Sequence, residues 1–214
     1  MTTTLDSNLY SVMNARKSVR VFDPSATIAK VEIEEMLKLA TIAPSSSNLQ
    51  SWSFMVFQDS ESKEELKTIV NNQAGNNQAV VENSSAVIAV LGNIDAYKKV
   101  EQIYTQNVAE GHMDDSIKDR TIAGTNAVYP NMPREVRMNI ASFDAGLVSM
   151  QLMLIAKEKG YDTLPMGGFD KVKFAENFNL PSNQFPIVLI ALGKAAAPAY
   201  GSSRLPLDEV VRFM

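Results

Sequence analysis

The segment Arg16-Lys17-Ser18-Val19-Arg20 has the types and spacing of side chains that could hold an anionic ligand. It reads as extended chain, in which residues two positions apart share a face. Arg16, Ser18 and Arg20 would then lie together, and Val19 would point the other way. Two guanidinium groups and a hydroxyl suit a phosphate and other polar oxygens. A solvated basic stretch near the N-terminus explains the same spacing equally well.

The loop from Pro44 to Trp52 offers hydroxyl and amide groups between a predicted helix and a predicted strand. Such a loop can hydrogen-bond the edge of a planar heterocycle. Taken alone, an ordinary polar loop with Trp52 as a packing anchor is the better explanation. The candidate binding side chains of this loop are Ser45, Ser46, Asn48 and Gln50.

The third candidate segment is Pro165-Met166-Gly167-Gly168. Two adjacent glycines allow a ligand to approach the main chain, and exposed N–H groups can donate to it. A turn that requires positive φ is the common alternative explanation for such a pair.

Several kinds of site are excluded by what the sequence lacks. It contains neither G-x-x-x-x-G-K-[ST] nor a G-x-G-x-x-G after a strand, so side chains must do most of any phosphate binding. It has no cysteine, which excludes disulfides, thiolate metal ligands, iron–sulfur ligation and cysteine nucleophiles. The one histidine, His112, lies in a polar stretch that favours a surface position over a catalytic one. We therefore expect no metal site.

Composition indicates an ordinary globular chain. Its 214 residues are 45% hydrophobic and 21% charged, which predicts a single domain over residues 1–214. A net charge of -4 argues against a general nucleic-acid binder. The N-terminus lacks the pattern of a signal peptide, and the longest apolar runs are too short to span a bilayer. We expect a cytoplasmic protein with no membrane attachment.

The order of helices and strands predicts the α+β class, because it follows no strict βαβ rhythm. Gly160–Gly168 reads as a capped helix end that leads into a turn. Arg16–Phe22 reads as extended, and residues 93–133 contain helical stretches. The predicted helices are Asn8–Ala15, Val31–Ala40, Glu61–Val70, Arg134–Lys159 and Phe174–Phe178. The predicted strands are Ser53–Gln58, Ala86–Gly92 and Pro186–Gly193.

The predicted helix Arg134–Lys159 is apolar on most of its faces between Ala145 and Ala156. A helix with this pattern must be covered all round. In a chain of this length, we expect a second subunit to supply part of that cover.

Taken together, the three candidate segments resemble the FMN-dependent nitroreductase family. The resemblance covers nearly the whole chain and is weakest over residues 93–133. The motifs R-x-S-x-R, A-P-S-S-x-N-x-Q-x-W, P-x-G-G-F, A-L-G-K and S-R-L-P follow one another in family order. They lie at Arg16–Arg20, Ala43–Trp52, Pro165–Phe169, Ala191–Lys194 and Ser203–Pro206.

The resemblance implies a fold and an assembly. The family fold is α+β, with a central, mostly antiparallel sheet flanked by helices, in an intertwined homodimer with two FMN sites at its interface. The helix Arg134–Lys159 would form the dimer core, and the tail 195–214 would wrap the partner subunit. Residues 93–133 would be a variable segment that shapes the substrate pocket.

The resemblance also implies roles for single residues. Arg16 and Ser18 match positions that bind the FMN phosphate and ribityl chain, and Arg204 matches a second phosphate-binding arginine. Arg20 and Asn77 match residues at the pyrimidine edge of the flavin, where a cation would stabilise the negative charge of the reduced ring.

Other positions complete the implied FMN site. The loop side chains Ser45, Ser46, Asn48 and Gln50 match groups that reach FMN from the other subunit. The main chain at Pro165, Met166, Gly167 and Gly168 matches the segment on the N5 side. Lys17 and Lys194, which lie within matched motifs, are also counted as cofactor-binding. Two departures matter: some members carry an acidic residue at the position of Gly167 and a lysine at that of Ser202.

The implied reaction is hydride transfer from NADH or NADPH to flavin N5, followed by reduction of a nitroaromatic, a quinone or a similar acceptor. Both substrates would share one cavity, so ping-pong kinetics are expected, and no side chain acts as a catalytic group. The alternatives are a flavin reductase, a flavin-fragmenting or dehalogenating enzyme of the same fold, or a flavin-binding protein without turnover.

Overall fold

A four-stranded sheet lies at the centre of the computed structural model, which describes residues 8–70 and 76–214. The strand order is β1-β2-β4-β3, and every neighbouring pair is antiparallel. The strands are β1 (Trp52–Phe57), β2 (Ala86–Asn93), β3 (Asp162–Met166) and β4 (Gln184–Gly193). The predicted α+β class with a mostly antiparallel sheet is confirmed.

The two central strands are buried on both faces, as the continuous apolar run in β2 predicts. Val87 and Leu91 of β2 contribute to one apolar cluster, whereas Ile88 and Val90 contribute to the cluster on the opposite face. These four side chains are at most 1% exposed. The alternation places one hydrophobic layer on each side of the sheet.

Helices cover both layers. The first layer lies under α3, α4 and α8, and the second lies under α2 and α7. A third, smaller cluster joins α5 and α6 to Leu49. The helices are α1 (Asn8–Ala15), α2 (Lys30–Ala40), α3 (Ser60–Lys67), α4 (Asn77–Asn83), α5 (Val100–Ala109), α6 (Asp115–Val128), α7 (Arg134–Glu158), α8 (Lys171–Asn177) and α9 (Leu207–Val210). Short 3-10 turns lie at Ser46–Asn48, Ala96–Lys99 and Tyr129–Asn131.

The prediction of a turn over Gly160–Gly168 is wrong in its central part, which forms strand β3. Pro165 and the two glycines gave this segment the composition of a turn. However, β3 is an edge strand of the sheet and pairs only with β4 among the named strands. An edge strand tolerates proline, because it has a neighbouring strand on one side only and a missing N–H on the other side breaks no strand pairing.

Two helix boundaries differ from the predictions, and two helices were not predicted. Helix α3 ends at Lys67 instead of Val70, because the next residues turn toward the loop after β3: Ile69 O accepts a hydrogen bond from Asp170 N. Helix α8 begins earlier than Phe174, because the Asp170 carboxylate caps its first N–H groups. The helices that were not predicted are α4 and α9.

Helix α7 is the central helix of the second layer. By length and composition it could cross a membrane, with a mean hydropathy of 1.3 over its most apolar window. Its Ala145 and Val148 are fully buried in the second layer, which is the position of a core helix in a folded domain. Phe143 of the same helix is 64% exposed and Met150 is 39% exposed. Within the described residues, 8–70 and 76–214, one apolar face of α7 is therefore left exposed.

Candidate functional site

A cavity of about 460 Å³ opens beside the end of β3. We call it the Arg20 cavity. Four parts of the chain form its walls: the extended segment after α1, the start of α4, the end of β3 with the following glycines, and the start of the C-terminal tail. Its lining residues are Ser18, Arg20, Val21, Asn76, Asn77, Val80, Leu164, Pro165, Met166, Gly167, Gly168, Ala197, Pro198, Ala199 and Tyr200.

The extended segment reaches the cavity because it pairs with β3. Val19 N donates to Thr163 O at 3.1 Å, and Ser18 forms a parallel bridge with Thr163. The Val19 side chain is 2% exposed and lies in the first apolar layer. Ser18 and Arg20, one position to either side of it, line the cavity. The alternation predicted from the sequence is confirmed for these two residues.

Arg20 gives the cavity its positive charge. Its side chain is exposed, and Nη1 lies 3.4 Å from the main-chain oxygen of Ser18, which is a weak hydrogen bond. Within residues 8–70 and 76–214 no carboxylate forms an ion pair with this guanidinium. Its charge is therefore available to an anionic or electron-rich ligand in the cavity.

The end of β3 presents main chain to the cavity. Met166 is 4% exposed and pairs with Leu189, whereas Gly167 and Gly168 are exposed. A Cβ atom added at Gly167 would have no neighbour within 4 Å, so a ligand can approach the backbone there. Phe169 then returns to the first apolar layer and fixes the far end of this segment.

The start of the tail forms a wall that the sequence did not predict. Asp23 N donates to Lys194 O, and Ala196 N donates to Val21 O, both at 2.9 Å. These hydrogen bonds hold the start of the tail beside the extended segment, so residues 197–200 reach the cavity. Asn76 and Val80 at the start of α4 were missed as well. No sequence motif could have identified these residues, because only long-range pairing places them.

Four of the predicted cationic residues lie outside the lining. Arg16 follows α1 and is half-buried, and Lys17 is exposed. Arg204, in the exposed tail, donates to its neighbours Ser202 Oγ and Ser203 O. Cofactor binding by these three residues stays a prediction.

Lys194, which directly follows β4, contacts residues of the same chain at the turn before β3. Its Nζ donates to Gly160 O at 2.5 Å and lies 4.1 Å from the centre of the Tyr161 ring. The ammonium group therefore binds the turn that follows α7, near the helix C-terminus, where a cation is favourable. Cofactor binding by Lys194 is also untested, and the structure gives this ammonium group a structural role.

The predicted loop side chains also lie outside the Arg20 cavity of their own chain. Ser46 donates to the buried carboxylate of Asp144 on α7 through both N and Oγ. Gln50 lines a separate cavity of about 380 Å³ against α5. Within one chain the loop and the Arg20 cavity are therefore two separate surfaces.

His112 is a surface residue, as predicted. Its side chain is 62% exposed and lies 3.2 Å from the Glu110 carboxylate. No group of histidine and acidic side chains within the described part of the chain could hold a metal ion.

Comparison with known proteins gives the chain its family. The sequence profile of the Nitroreductase family matches residues 13–194. YdgI of Bacillus subtilis, named as a candidate NAD(P)H nitroreductase, is 42% identical over 208 residues, which is 97% of this chain and 98% of YdgI.

Solved structures agree with the sequence comparison. A candidate nitroreductase from Exiguobacterium sibiricum, crystallised in complex with FMN, superposes with a TM-score of 0.91 at 37% identity, over 97% of this chain and 98% of the other. A candidate NAD(P)H:FMN oxidoreductase from Staphylococcus epidermidis gives a TM-score of 0.92 at 39% identity, over 97% and 96% of the two chains. The chain therefore belongs to the Nitroreductase family, a family of oxidoreductases.

Proposed function

We propose that this chain is an FMN-dependent oxidoreductase that uses NADH or NADPH to reduce small acceptors such as nitroaromatics and quinones. One observation carries the proposal: a single cavity gathers seven residues that the family resemblance had singled out in three distant parts of the chain. These residues are Ser18, Arg20, Asn77, Pro165, Met166, Gly167 and Gly168.

The chemistry of the Arg20 cavity fits an isoalloxazine ring. Its volume of about 460 Å³ lies within the range of about 300–1,000 Å³ that is usual for small-molecule sites. Val80 and Leu164 provide apolar wall for a flat ring system. Asn77 and Arg20 provide polar groups for the carbonyl and nitrogen atoms of a pyrimidine edge.

FMN, when bound, supplies the redox chemistry: it takes a hydride from the nicotinamide and passes two electrons to the acceptor. The protein supplies placement and electrostatics. Arg20 would neutralise the negative charge that reduction brings to the pyrimidine edge. The open main chain at Gly167 would let the ring lie close to backbone N–H groups. Arg16, Lys17, Lys194 and Arg204 remain proposed cofactor-binding residues.

We further propose that the working unit is a homodimer. Phe143 on α7 and Tyr10 on α1 are more than half exposed, and the tail from residue 201 onward is exposed throughout. Exposed apolar residues on adjoining helices are expected where a second copy packs. The loop side chains Ser45, Ser46, Asn48 and Gln50 would then reach the FMN of the other copy. Light scattering on the purified protein should give twice the chain mass.

The cytoplasmic location and the single domain over residues 1–214 also stay predictions. Residues 93–133 would shape the acceptor pocket, as the family resemblance implies. They fold as helices α5 and α6 with short 3-10 turns at either end.

The decisive experiment is an anaerobic reductive titration of the purified protein. We expect bound FMN with a visible flavin spectrum that NADH or NADPH bleaches, and re-oxidation by a quinone or a nitroaromatic compound. Arg20→Gln should slow bleaching, whereas Arg134→Gln, which removes an exposed guanidinium on α7 outside the cavity, should not. A protein that cannot be reconstituted with FMN would refute the proposal. Bound FMN that no nicotinamide nucleotide reduces would favour a non-catalytic or differently reduced flavoprotein.

A further inference from the structure

The loop that holds Ser45–Gln50 has an unusual backbone. Three of its residues lie in the left-handed region, with φ of 52° at Ser47, 51° at Asn48 and 52° at Gln50. None of the three is glycine, and only asparagine among them adopts this region readily, so the conformations of Ser47 and Gln50 are unfavourable on their own. Such conformations persist where surrounding contacts hold them, and they are concentrated at functional sites.

One set of contacts comes from α7. Asp144 is completely buried, and its Oδ1 accepts hydrogen bonds from Ser46 N at 2.9 Å and from Ser46 Oγ at 3.0 Å. Hydrogen bonds to a carboxylate are stronger than neutral ones. Asp144 is the only charged residue in the stretch from Ile140 to Ile155. A buried carboxylate is costly unless it is hydrogen-bonded, and Ser46 supplies both of the hydrogen bonds that Asp144 Oδ1 accepts.

The second set of contacts comes from the α5–α6 segment. The Tyr104 hydroxyl donates to Ser47 O at 3.0 Å, and the Tyr129 hydroxyl lies 3.4 Å from Ser47 Oγ. Tyr104 is 8% exposed, and burial raises the pKa of its hydroxyl further above the neutral range. Leu49, at 1% exposed, packs with Val100 in the same small cluster.

We propose that Asp144 and Tyr104 are positioning residues that hold the Ser45–Gln50 loop in its left-handed conformation and thereby set how tightly FMN is retained. The inference rests on the proposed function, in which this loop reaches the FMN of a second copy. Residues 93–133 then act on the cofactor, through Tyr104, in addition to shaping the acceptor pocket.

Conservative variants separate loop positioning from general stability. Tyr104→Phe removes one hydroxyl from Ser47 and leaves the ring in its cluster. Tyr161→Phe is the matched control, because it removes a hydroxyl that donates to Glu32 at 2.9 Å, from a ring that is 7% exposed. Asp144→Asn keeps a carbonyl oxygen that can accept from Ser46, whereas Asp144→Ala removes both hydrogen bonds.

The first readout is the FMN dissociation constant of the apoprotein, measured by quenching of flavin fluorescence. Loss of the Tyr104 hydrogen bond should raise it about fivefold, and Asp144→Ala should raise it by about tenfold or more. Asp144→Asn should fall between Asp144→Ala and the wild type. Tyr161→Phe should match the wild type. If Asp144→Ala does not fold, Asp144→Asn and Tyr104→Phe still decide the question.

The second readout is hydrogen exchange of the Ser46–Gln50 amides in the apoprotein, which does not depend on FMN. Exchange should be faster in Tyr104→Phe than in Tyr161→Phe. Equal FMN affinity and equal loop exchange in these two variants would overturn the inference. Faster exchange with unchanged FMN affinity would overturn its cofactor part. A wild-type protein that binds no FMN would instead refute the proposed function, while the exchange comparison would still test the loop contacts.

Discussion

The Phe174 ring lies at the centre of an aromatic cluster behind the Arg20 cavity. It is completely buried on α8 and contacts Phe57, Phe169 and Phe178, with ring centroids 6.0, 5.8 and 4.7 Å away. Phe169 directly follows the glycine pair that lines the cavity. Replacing Phe174 by alanine should therefore both destabilise the fold and loosen the main chain at the site.

The expected loss can be worked from this burial. Truncating a buried phenylalanine to alanine costs about 3–5 kcal/mol, which includes the lost edge-to-face contacts of about 0.5–1.5 kcal/mol each. Domains are stable by only about 5–15 kcal/mol, so much of the free energy of unfolding would be lost. In a chain of this size the melting temperature should fall by about 6–20 °C.

Urea and thermal unfolding of Phe174→Ala, measured with and without FMN, test this expectation. Val172→Ala on the same helix is the control: Val172 is 69% exposed, so its truncation should change stability by less than about 0.5 kcal/mol. We also expect weaker FMN binding in Phe174→Ala than in Val172→Ala. If the two variants unfolded within about 1 kcal/mol of each other, the assignment of Phe174 to the core behind the site would be refuted.

Three further expectations concern single side chains. Arg20→Gln should lower the two-electron reduction potential of bound FMN by about 30 mV, or ~1.4 kcal/mol, because it removes a cation from an exposed site. Spectroelectrochemistry measures this potential, and an unchanged value would contradict the role given to Arg20. Arg16→Ala should raise the FMN dissociation constant by about 30-fold or more if Arg16 pairs with the phosphate, and gel filtration with full FMN retention would contradict this. Hydrogen bonds from the Tyr161 hydroxyl and Ala29 N hold the pKa of Glu32 below its ordinary value of 4.5. The native state is thus stabilised above that pH and loses this contribution as the pH falls, so the urea midpoint should fall more between pH 6 and pH 3.5 in the wild type than in Glu32→Gln.

Local sequence patterns predicted the parts of the fold that local forces determine. Continuous apolar runs correctly predicted β2 and β4, because a strand that is buried on both faces does not alternate apolar and polar residues. The alternation around Val19 correctly placed Ser18 and Arg20 on one face, since the Val19 side chain enters the core. The edge strand β3 was missed because Pro165 reads as a turn residue, although an edge position accepts it.

Long-range pairing determined what the sequence could not predict. Tyr200 reaches the cavity only because the tail pairs with the chain at Val21, and no local motif marks that contact. Asp144 did carry a signal: it is the only charged residue between Ile140 and Ile155 of α7, which implies a buried partner. The partner, Ser46, lies 98 positions away in sequence, so only the fold could identify it.

Cofactor binding and dimer formation are coupled if the proposed function is correct. One chain by itself would then hold only part of the site: Arg20 lines the cavity, whereas the Ser45–Gln50 loop does not line it and Arg204 lies on an exposed tail. A second copy that brings its loop to this cavity would bind FMN more tightly than the isolated chain. By linkage, FMN must then stabilise the dimer by the same free energy. The apolar face left exposed on α7 and the incomplete polar lining of the cavity would thus be completed by one event, the association of two chains.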